Sequence, residues 1–204
     1  MTVATLRAIR VAAWVAVVAV AAIAVWLAVV NKPAEVEGGV ATATIGGPFE
    51  LTDQTGRAVT EAALQGHPSA LFFGYTFCPD VCPTTLADIT LWLRDLGEAG
   101  DALKVYFITV DPERDTEEQM ARYLQAFDPR IVGLTGSQTA IDQVIAAYRV
   151  YARKVEVEGG GPYLMDHTAA VYLLDSDAQF AGTVDYGEDR ESVLTKLTRL
   201  IERS

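Results

Sequence analysis

The sequence predicts an α/β domain, a three-layer sandwich around a central mixed β-sheet, preceded by one transmembrane helix. Three observations lead to this prediction. Strand-like and helix-like segments alternate through the first half of the domain, a β-hairpin and a helix close the chain, and an unbroken apolar run stands near the N-terminus. The chain has 204 residues. About 170 of them follow the apolar run, enough for one domain with a sizeable core.

The apolar run covers residues 11–30, and as a helix it rises about 30 Å, the thickness of a bilayer core. Arg7 and Arg10 precede it, so the positive-inside rule predicts a cytoplasmic N-terminus at 1–10 and a domain facing outward, as in a bacterial periplasm. We therefore expect a single-pass protein of the inner (plasma) membrane. A cleaved secretory signal is the alternative, although its apolar core is usually only about 7–15 residues long.

The charge of the remaining chain is strongly acidic. Three of the 16 basic residues precede position 33 and all 27 acidic residues follow it, so residues 33–204 have a net charge of −14. This excludes a nucleic-acid binder, because phosphate contacts need a basic surface. Residues 31–47 are small, polar and Gly-rich, which predicts a flexible tether and leaves 48–204 as the domain.

The first half of the domain reads as strands and helices in alternation. Residues 49–60 have the turn residues of a hairpin, which is an addition to the core fold. Short apolar runs at 69–75 and 104–110 predict buried strands. Between them, apolar residues at helical spacing predict a helix that begins at Pro83 and ends at Gly97.

The second half begins with two capped helices. A capping box at 116–119 predicts a helix to about Phe127, and Ser137 is placed to cap a helix to about Tyr148. A short extended segment at 131–134 separates them.

The end of the chain completes the pattern. Residues 150–157 are β-prone, 168–174 and 179–184 predict a hairpin, and an apolar stripe marks a last helix over 193–201. A β-α-β half followed by a β-β-α half is the thioredoxin-like arrangement.

The two cysteines, Cys78 and Cys82, stand between a predicted strand and a predicted helix. A structural disulfide would stabilise little, because the loop it closes is tiny. Pro83 predicts a helix that starts just after them, and helix N-termini favour thiolates. Two chemistries remain open: dithiol–disulfide exchange, and binding of a soft metal such as Cu(I), with zinc as a competitor.

His167 directly precedes the predicted strand at 168–174. Loops at one edge of a sheet converge, so its imidazole is expected near the cysteines despite the long separation in sequence. Asp166 is a candidate to orient the ring. His67 precedes a strand at the opposite end and is interpreted as a loop residue. Met165 is a soft donor whose simpler interpretation is core packing.

Three sequence blocks together resemble the Sco/SenC family of copper chaperones. They are FGYTFCPDVCP at 73–83, VDPERDT at 110–116, and DHT at 166–168 followed by the strand AVYLLD. Their order and spacing match the family through nearly all of 45–203. A Cys-x₃-Cys pair alone is a weak signal, whereas the three blocks in this order are specific.

The resemblance implies a thioredoxin-like domain that binds one copper ion, Cu(I) or Cu(II), through Cys78, Cys82 and His167. It implies a metallochaperone rather than an enzyme, with thiol–disulfide reduction as an auxiliary activity. Its partner would be the copper-accepting subunit of cytochrome c oxidase, whose binuclear copper site it helps to assemble. Other copper chaperones or thiol oxidoreductases are further partners. Asp80, between the cysteines, is expected to tune charge at the metal. The resemblance implies that the loop at 110–116, with Asp111, Pro112 and Arg114, is a fold signature beside the site, and it implies no ligand role there.

The same residues also fit alternative functions. Some family members act as thiol reductants or redox sensors, so Cys78 and Cys82 can instead form a redox-active disulfide in a membrane-anchored oxidoreductase. The Trp-Cys-x-x-Cys motif of thioredoxin-type enzymes is absent, since Phe77 precedes a three-residue spacer. A zinc site with an open position is also compatible with these residues. A lysine is common near position 67 in the family, and His67 in its place leaves an accessory metal contact open.

Overall fold

The computed structural model describes residues 45–204 together with Trp14 and Val20. The chain divides into two units, Met1–Ala43 and Thr44–Ser204, and every element named below belongs to the second. Most of the predicted transmembrane segment 11–30 and of the predicted tether 31–47 lies outside the described residues. The boundaries of both segments therefore stay predictions. Within the described part, no helix combines the length and the apolar character needed to cross a membrane.

The described domain consists of nine strands, four α-helices and two 3₁₀ turns. The strands are β1 (Glu50–Asp53), β2 (Ala58–Thr60), β3 (Ser69–Gly74), β4 (Lys104–Thr109), β5 (Ile131–Thr135), β6 (Ala152–Val155), β7 (Leu164–His167), β8 (Val171–Leu174) and β9 (Phe180–Val184). The helices are α1 (Val81–Leu96), α2 (Glu117–Leu124), α3 (Gln138–Ala147) and α4 (Arg190–Glu202). The 3₁₀ turns are Glu61–Leu64 and Gly97–Ala102.

Seven of the strands form one mixed sheet in the order β2-β1-β5-β4-β3-β8-β9. The three central strands β5, β4 and β3 are parallel, and the remaining pairs are antiparallel. The predicted first hairpin is present as β1–β2, and it extends the sheet by pairing with β5. Among residues 45–204, strands β6 and β7 pair only with each other, as a separate β6–β7 hairpin.

Both faces of the sheet are covered, since every residue of β3 is buried. Phe72 stacks on Phe107, and Phe107 packs against Tyr123 of α2. The next residue, Phe73, points to the other face, where it packs against Tyr148 at the end of α3. Helix α1 packs against α4. The predicted three-layer sandwich is therefore confirmed, with helices on both sides of a buried sheet.

Helix α1 begins earlier than predicted. It starts at Val81, with Asp80 as the N-cap, so Pro83 is its third residue rather than its first. A proline fits there because the first backbone N–H groups of a helix have no partner within the helix. As a consequence Cys82 lies in the first turn of α1, whereas Pro83 had predicted a loop for both cysteines.

The region before β8 also differs from prediction. The predicted strand 168–174 begins only at Val171, and residues 164–167 form a strand of their own, β7. Ala152 pairs with His167 in this hairpin, so β7 exists because β6 lies beside it. Helix α2 ends at Leu124, three residues before the predicted end.

Candidate metal centre

Three donor side chains meet at the end of the sheet where β3 stops. Cys78 lies in the cysteine loop, defined as residues 75–80 between β3 and α1, and Cys82 in the first turn of α1. His167 is the last residue of β7. Their sulfur and nitrogen atoms lie within 4.8 Å of one another, and both cysteines are free thiols. The structure thus brings together all three residues that the sequence singled out.

The sheet register explains this convergence. Val171 at the start of β8 pairs with Phe72 near the end of β3, so the chain entering β8 and the chain leaving β3 lie at one edge. Gly74 ends β3 directly below the site. A Cβ atom at Gly74 would lie 2.7 Å from the Cys82 sulfur and 2.8 Å from the Phe107 ring. The absence of a side chain at Gly74 therefore allows α1 to bring Cys82 this close to the strand.

The imidazole of His167 is oriented by backbone. Its Nδ1 lies 2.9 Å from the carbonyl oxygen of Thr168, and because a carbonyl only accepts, Nδ1 donates the hydrogen. Nε2 then has a free lone pair and lies 3.4 Å from the Cys82 sulfur. Asp166 is exposed. The expectation that its carboxylate orients the ring is therefore wrong for this structure, and the Thr168 carbonyl takes that role.

The pKa values of the two thiols are shifted in opposite directions. The hydrogen bond that the Cys82 side chain donates lowers the pKa of Cys78 to about 3, against its partial burial. The Cys82 backbone N–H also donates to the Cys78 sulfur, at 3.4 Å. The bond to Cys78 and nearly complete burial raise the pKa of Cys82. At neutral pH the pair is thus one accessible thiolate and one buried thiol, which suits capture of a soft metal or of a disulfide.

Four further residues from the sequence analysis have clear positions. Asp80 and Asp166 carry exposed carboxylates beside the site, and their effect on its charge stays a prediction. Met165 packs against the core, as its simpler interpretation held. His67 precedes β3, a strand of six residues that leads away from it toward the site. That strand is about 20 Å long, so His67 lies too far away to contact a metal held by Cys78, Cys82 and His167. The expectation of an accessory metal contact from His67 at this site is therefore wrong.

The contacts of Arg114 are the part of the site that sequence reasoning missed. Arg114 forms an ion pair with Asp111, and its Nη1 donates to the Tyr163 carbonyl at 2.9 Å. Its guanidinium lies 3.7 Å from the Tyr163 ring centroid and 4.9 Å from that of Phe77. The Tyr163 hydroxyl donates to Asp111 at 2.8 Å. Arg114 therefore joins the cysteine loop to the β6–β7 hairpin that carries the histidine.

A signal for Arg114 existed in the sequence. The block at 110–116 follows a buried strand that is parallel to β3, and it therefore leaves the sheet at the same edge as the cysteine loop. The resemblance placed this loop beside the site as a fold signature, and the structure adds the contacts by which Arg114 joins the two parts of the site.

The site opens to the surface beside Cys78. Phe77, the residue before it, is 49% exposed, and Cys78 itself is half-buried, whereas Cys82 is fully buried. An incoming molecule would therefore meet Cys78 first.

Fold and site together define a class: a thioredoxin-like domain with a Cys-Cys-His donor group of the kind that holds soft metals. The comparison with known proteins is more specific. The family model SCO1/SenC matches residues 38–202, and the chain belongs to that family.

Relatives in the curated proteins agree with this assignment. The mitochondrial protein SCO2 of Saccharomyces cerevisiae is 37% identical over 175 residues, which cover 84% of this chain and 58% of that protein. The mitochondrial SCO2 homolog of Homo sapiens is 43% identical over 148 residues, covering 72% of this chain and 55% of that protein. The chain thus spans somewhat more than half the length of these relatives.

Solved structures show the same fold. Copper-bound ScoI of Bradyrhizobium japonicum is 49% identical, with a TM-score of 0.71, and the match covers 76% of this chain and 99% of that one. Copper-bound yeast Sco1 is 36% identical, with a TM-score of 0.73, covering 79% and 90%. The predicted metal, copper, is thus the metal in solved relatives, and this chain has a Cys-Cys-His donor group.

Proposed function

We propose that this chain is a copper chaperone that binds one copper ion through Cys78, Cys82 and His167. The observation that carries the proposal is the convergence of these three donor atoms within 4.8 Å, at an open edge of the fold. Family membership and copper-bound relatives support it. Zinc, the competing metal, would use the same donors, so the choice of copper rests on this support.

The pKa values of the two thiols predict the order in which the donors bind copper. The accessible Cys78 thiolate binds Cu(I) first, because it needs no deprotonation. Cys82 then loses its proton as its sulfur joins, since metal binding favours the thiolate. His167 presents Nε2 as the third donor, which suits both Cu(I) and Cu(II). Release proceeds by ligand exchange, in which an acceptor thiolate replaces Cys78 on the exposed side.

The acceptor in this proposal is the copper-receiving subunit of cytochrome c oxidase, whose binuclear copper site the chain helps to assemble. Family membership supports this role. Oxidation of Cys78 and Cys82 to a disulfide removes both thiolates, so the redox state of the pair controls loading. Other copper chaperones or thiol oxidoreductases are the partners that would supply copper or reduce the pair.

The decisive experiment is titration of the reduced full-length chain with copper, with His167→Ala and His67→Ala in parallel. We expect one equivalent of Cu(II) with a sulfur-to-copper charge-transfer band. The band should weaken in His167→Ala and stay unchanged in His67→Ala, because His67 lies at the far end of β3. Failure of the reduced wild type to bind copper would end the proposal.

A second candidate is a thiol–disulfide oxidoreductase or redox sensor. The pairing of an accessible thiolate with a buried thiol favours it. Cys78 would attack a substrate disulfide and release one thiol. Cys82 would then attack the mixed disulfide and release the second, leaving the substrate reduced and the pair oxidised. Turnover of disulfide substrates that persists in His167→Ala would favour this function over copper delivery.

We also propose that residues 11–30 anchor the chain in the inner membrane, with the domain on the periplasmic side. The uninterrupted apolar run and the arginines before it support this placement. Protease added to spheroplasts should digest the domain. Protection of the domain until the membrane is lysed would place it on the other side.

A further inference from the structure

Asp115 is a fully buried carboxylate that is not one of the three donors. Its two oxygens accept three hydrogen bonds. Thr76 donates twice, from its backbone N–H to Oδ2 at 3.0 Å and from its hydroxyl to Oδ1 at 2.6 Å. The Thr109 hydroxyl donates to Oδ2 at 2.7 Å. The backbone N–H and the hydroxyl of Thr76 therefore both donate to the same carboxylate.

The backbone of Asp115 is fixed independently of the cysteine loop. Its N–H donates to the Asp111 carbonyl at 3.0 Å, and its carbonyl accepts from the Thr135 hydroxyl at 2.6 Å. Thr109 ends β4 and Thr135 ends β5, so Asp115 is tied to the ends of two central strands. Its side chain extends from these strand ends to the cysteine loop.

Thr76 is a suitable point at which to hold that loop. It lies two residues before Cys78 and is buried, whereas Phe77 between them is exposed. Gln119 of α2 donates to the Thr76 hydroxyl at 3.1 Å, which orients the hydroxyl hydrogen toward Asp115. The Cys78 N–H donates to the Tyr75 carbonyl at 3.3 Å, closing a turn around Thr76.

We propose that Asp115 is a positioning residue for the metal centre, which acts through Thr76 to hold Cys78 in its place facing Cys82 and His167. This inference rests on the proposed copper binding. The hold does not involve the thiols themselves, so it persists when they gain or lose charge on loading and release. Groups behind the donors of a metal site commonly set the affinity in this way.

A pair of matched variants tests the proposal. Thr76→Val and Thr135→Val make the same change at buried threonines, and each removes a 2.6 Å hydrogen bond to Asp115. Only Thr76→Val removes a bond between Asp115 and the cysteine loop, and it leaves the bond from the Thr76 backbone N–H. We expect its affinity for Cu(I) and Cu(II) to fall about 10-fold or more, the usual effect of losing such a partner. The loss in Thr135→Val should be smaller, because both bonds from Thr76 to the Asp115 carboxylate remain. Thr76→Ser, which retains the hydroxyl, should keep the wild-type affinity.

The readouts are chelator competition for the affinities and electron paramagnetic resonance of the Cu(II) form for the geometry. We expect an altered Cu(II) spectrum in Thr76→Val only. Wild-type affinity in Thr76→Val, or equal losses in Thr76→Val and Thr135→Val, would overturn the proposal. Copper titration of the wild type tests the proposed function separately.

A measurement on the unmutated chain decides the matter if a variant does not fold. Hydrogen exchange of the Thr76 amide should be slow in the apo chain and in the copper-loaded chain alike, because its bond to Asp115 needs no metal. Exchange of this amide in the folded apo chain at the rate of an unprotected loop would show that Asp115 does not hold it.

Discussion

The sulfur of Cys82 lies 3.4 Å from Nε2 of His167, although 85 residues separate them in the chain. The contact joins the first turn of α1 to the end of the β6–β7 hairpin. Both parts rest on the edge of the sheet where β3 ends, so the contact depends on the whole fold.

The Cys78 thiol should react at low pH. Its pKa of about 3 lies far below that of an ordinary thiol, so Cys78 remains a thiolate as the pH falls from 8 to 5. We expect its rate of alkylation by iodoacetamide in the reduced apo chain to stay nearly constant over this range. Mass spectrometry of peptides gives the rate at each cysteine. A rate that falls about tenfold per pH unit, as for a thiol of ordinary pKa, would contradict the prediction.

Cys82 provides the internal control for that experiment. It is fully buried and its pKa is raised, so it should remain unmodified while Cys78 reacts. Equal labelling of both cysteines in the folded chain would show that the two thiols do not differ in this way.

Replacement of Arg114 should loosen the site. Arg114→Met leaves the buried Asp111 carboxylate without its cation and breaks the bond to the Tyr163 carbonyl. We expect a loss of about 3 kcal/mol in the free energy of unfolding and about 10-fold weaker Cu(II) binding. Urea unfolding and chelator competition measure the two effects.

Arg190→Met is the matched control for Arg114→Met. Arg190 is an exposed arginine at the start of α4 whose ion pair with Asp95 lies on the surface. Exposed pairs contribute about 0–1 kcal/mol, so both quantities should stay close to the wild type. Similar losses in the two variants would mean that the position of Arg114 has no special effect.

Gly74 should not tolerate a side chain. Gly74→Ala would place a methyl group 2.7 Å from the Cys82 sulfur and 2.8 Å from the Phe107 ring, so helix or strand must shift. We expect a loss of about 1–3 kcal/mol in the free energy of unfolding, together with a changed Cu(II) absorption spectrum. Gly161→Ala is the control, since its Cβ would only make ordinary contacts with Val157. An unchanged spectrum in Gly74→Ala would contradict the prediction.

The turn of the first hairpin should respond to acid. Burial opposes ionisation of Asp53, but hydrogen bonds from Thr55 and Arg57 outweigh it and lower the pKa to about 2. A carboxyl whose pKa is lower in the folded state stabilises the fold above its unfolded pKa near 3.8. That contribution, about 2 kcal/mol, is lost as the pH falls through 2. Asp53→Asn should reduce the free energy of unfolding at pH 7, measured in urea, and flatten its acid dependence below pH 4. The prediction would be contradicted if the free energy of unfolding depended on acid pH equally in the wild type and in Asp53→Asn.

Local sequence patterns were sufficient for much of the fold. Thr116 and Ser137 cap α2 and α3 as predicted, because each accepts a hydrogen bond from a backbone N–H three residues along. The alternation of strands and helices also predicted the three layers. A strand that is buried on both faces of a sheet needs a continuous apolar run, and such runs are present at β3 and β4. These signals lie within short stretches of chain, where periodicity and capping residues act directly.

The sequence by itself determined the two cysteines, the histidine and the order of the elements that bring them to one edge. Only the tertiary structure decided the rest of the site: β7 exists through its pairing with β6, and the Thr168 carbonyl orients His167 in place of Asp166. The same holds for Arg114 and Asp115, which act on the cysteine loop across nearly forty residues. The physical reason is that a side chain's partners depend on which backbone segments lie beside it, and distant segments meet only when the sheet and its layers have formed.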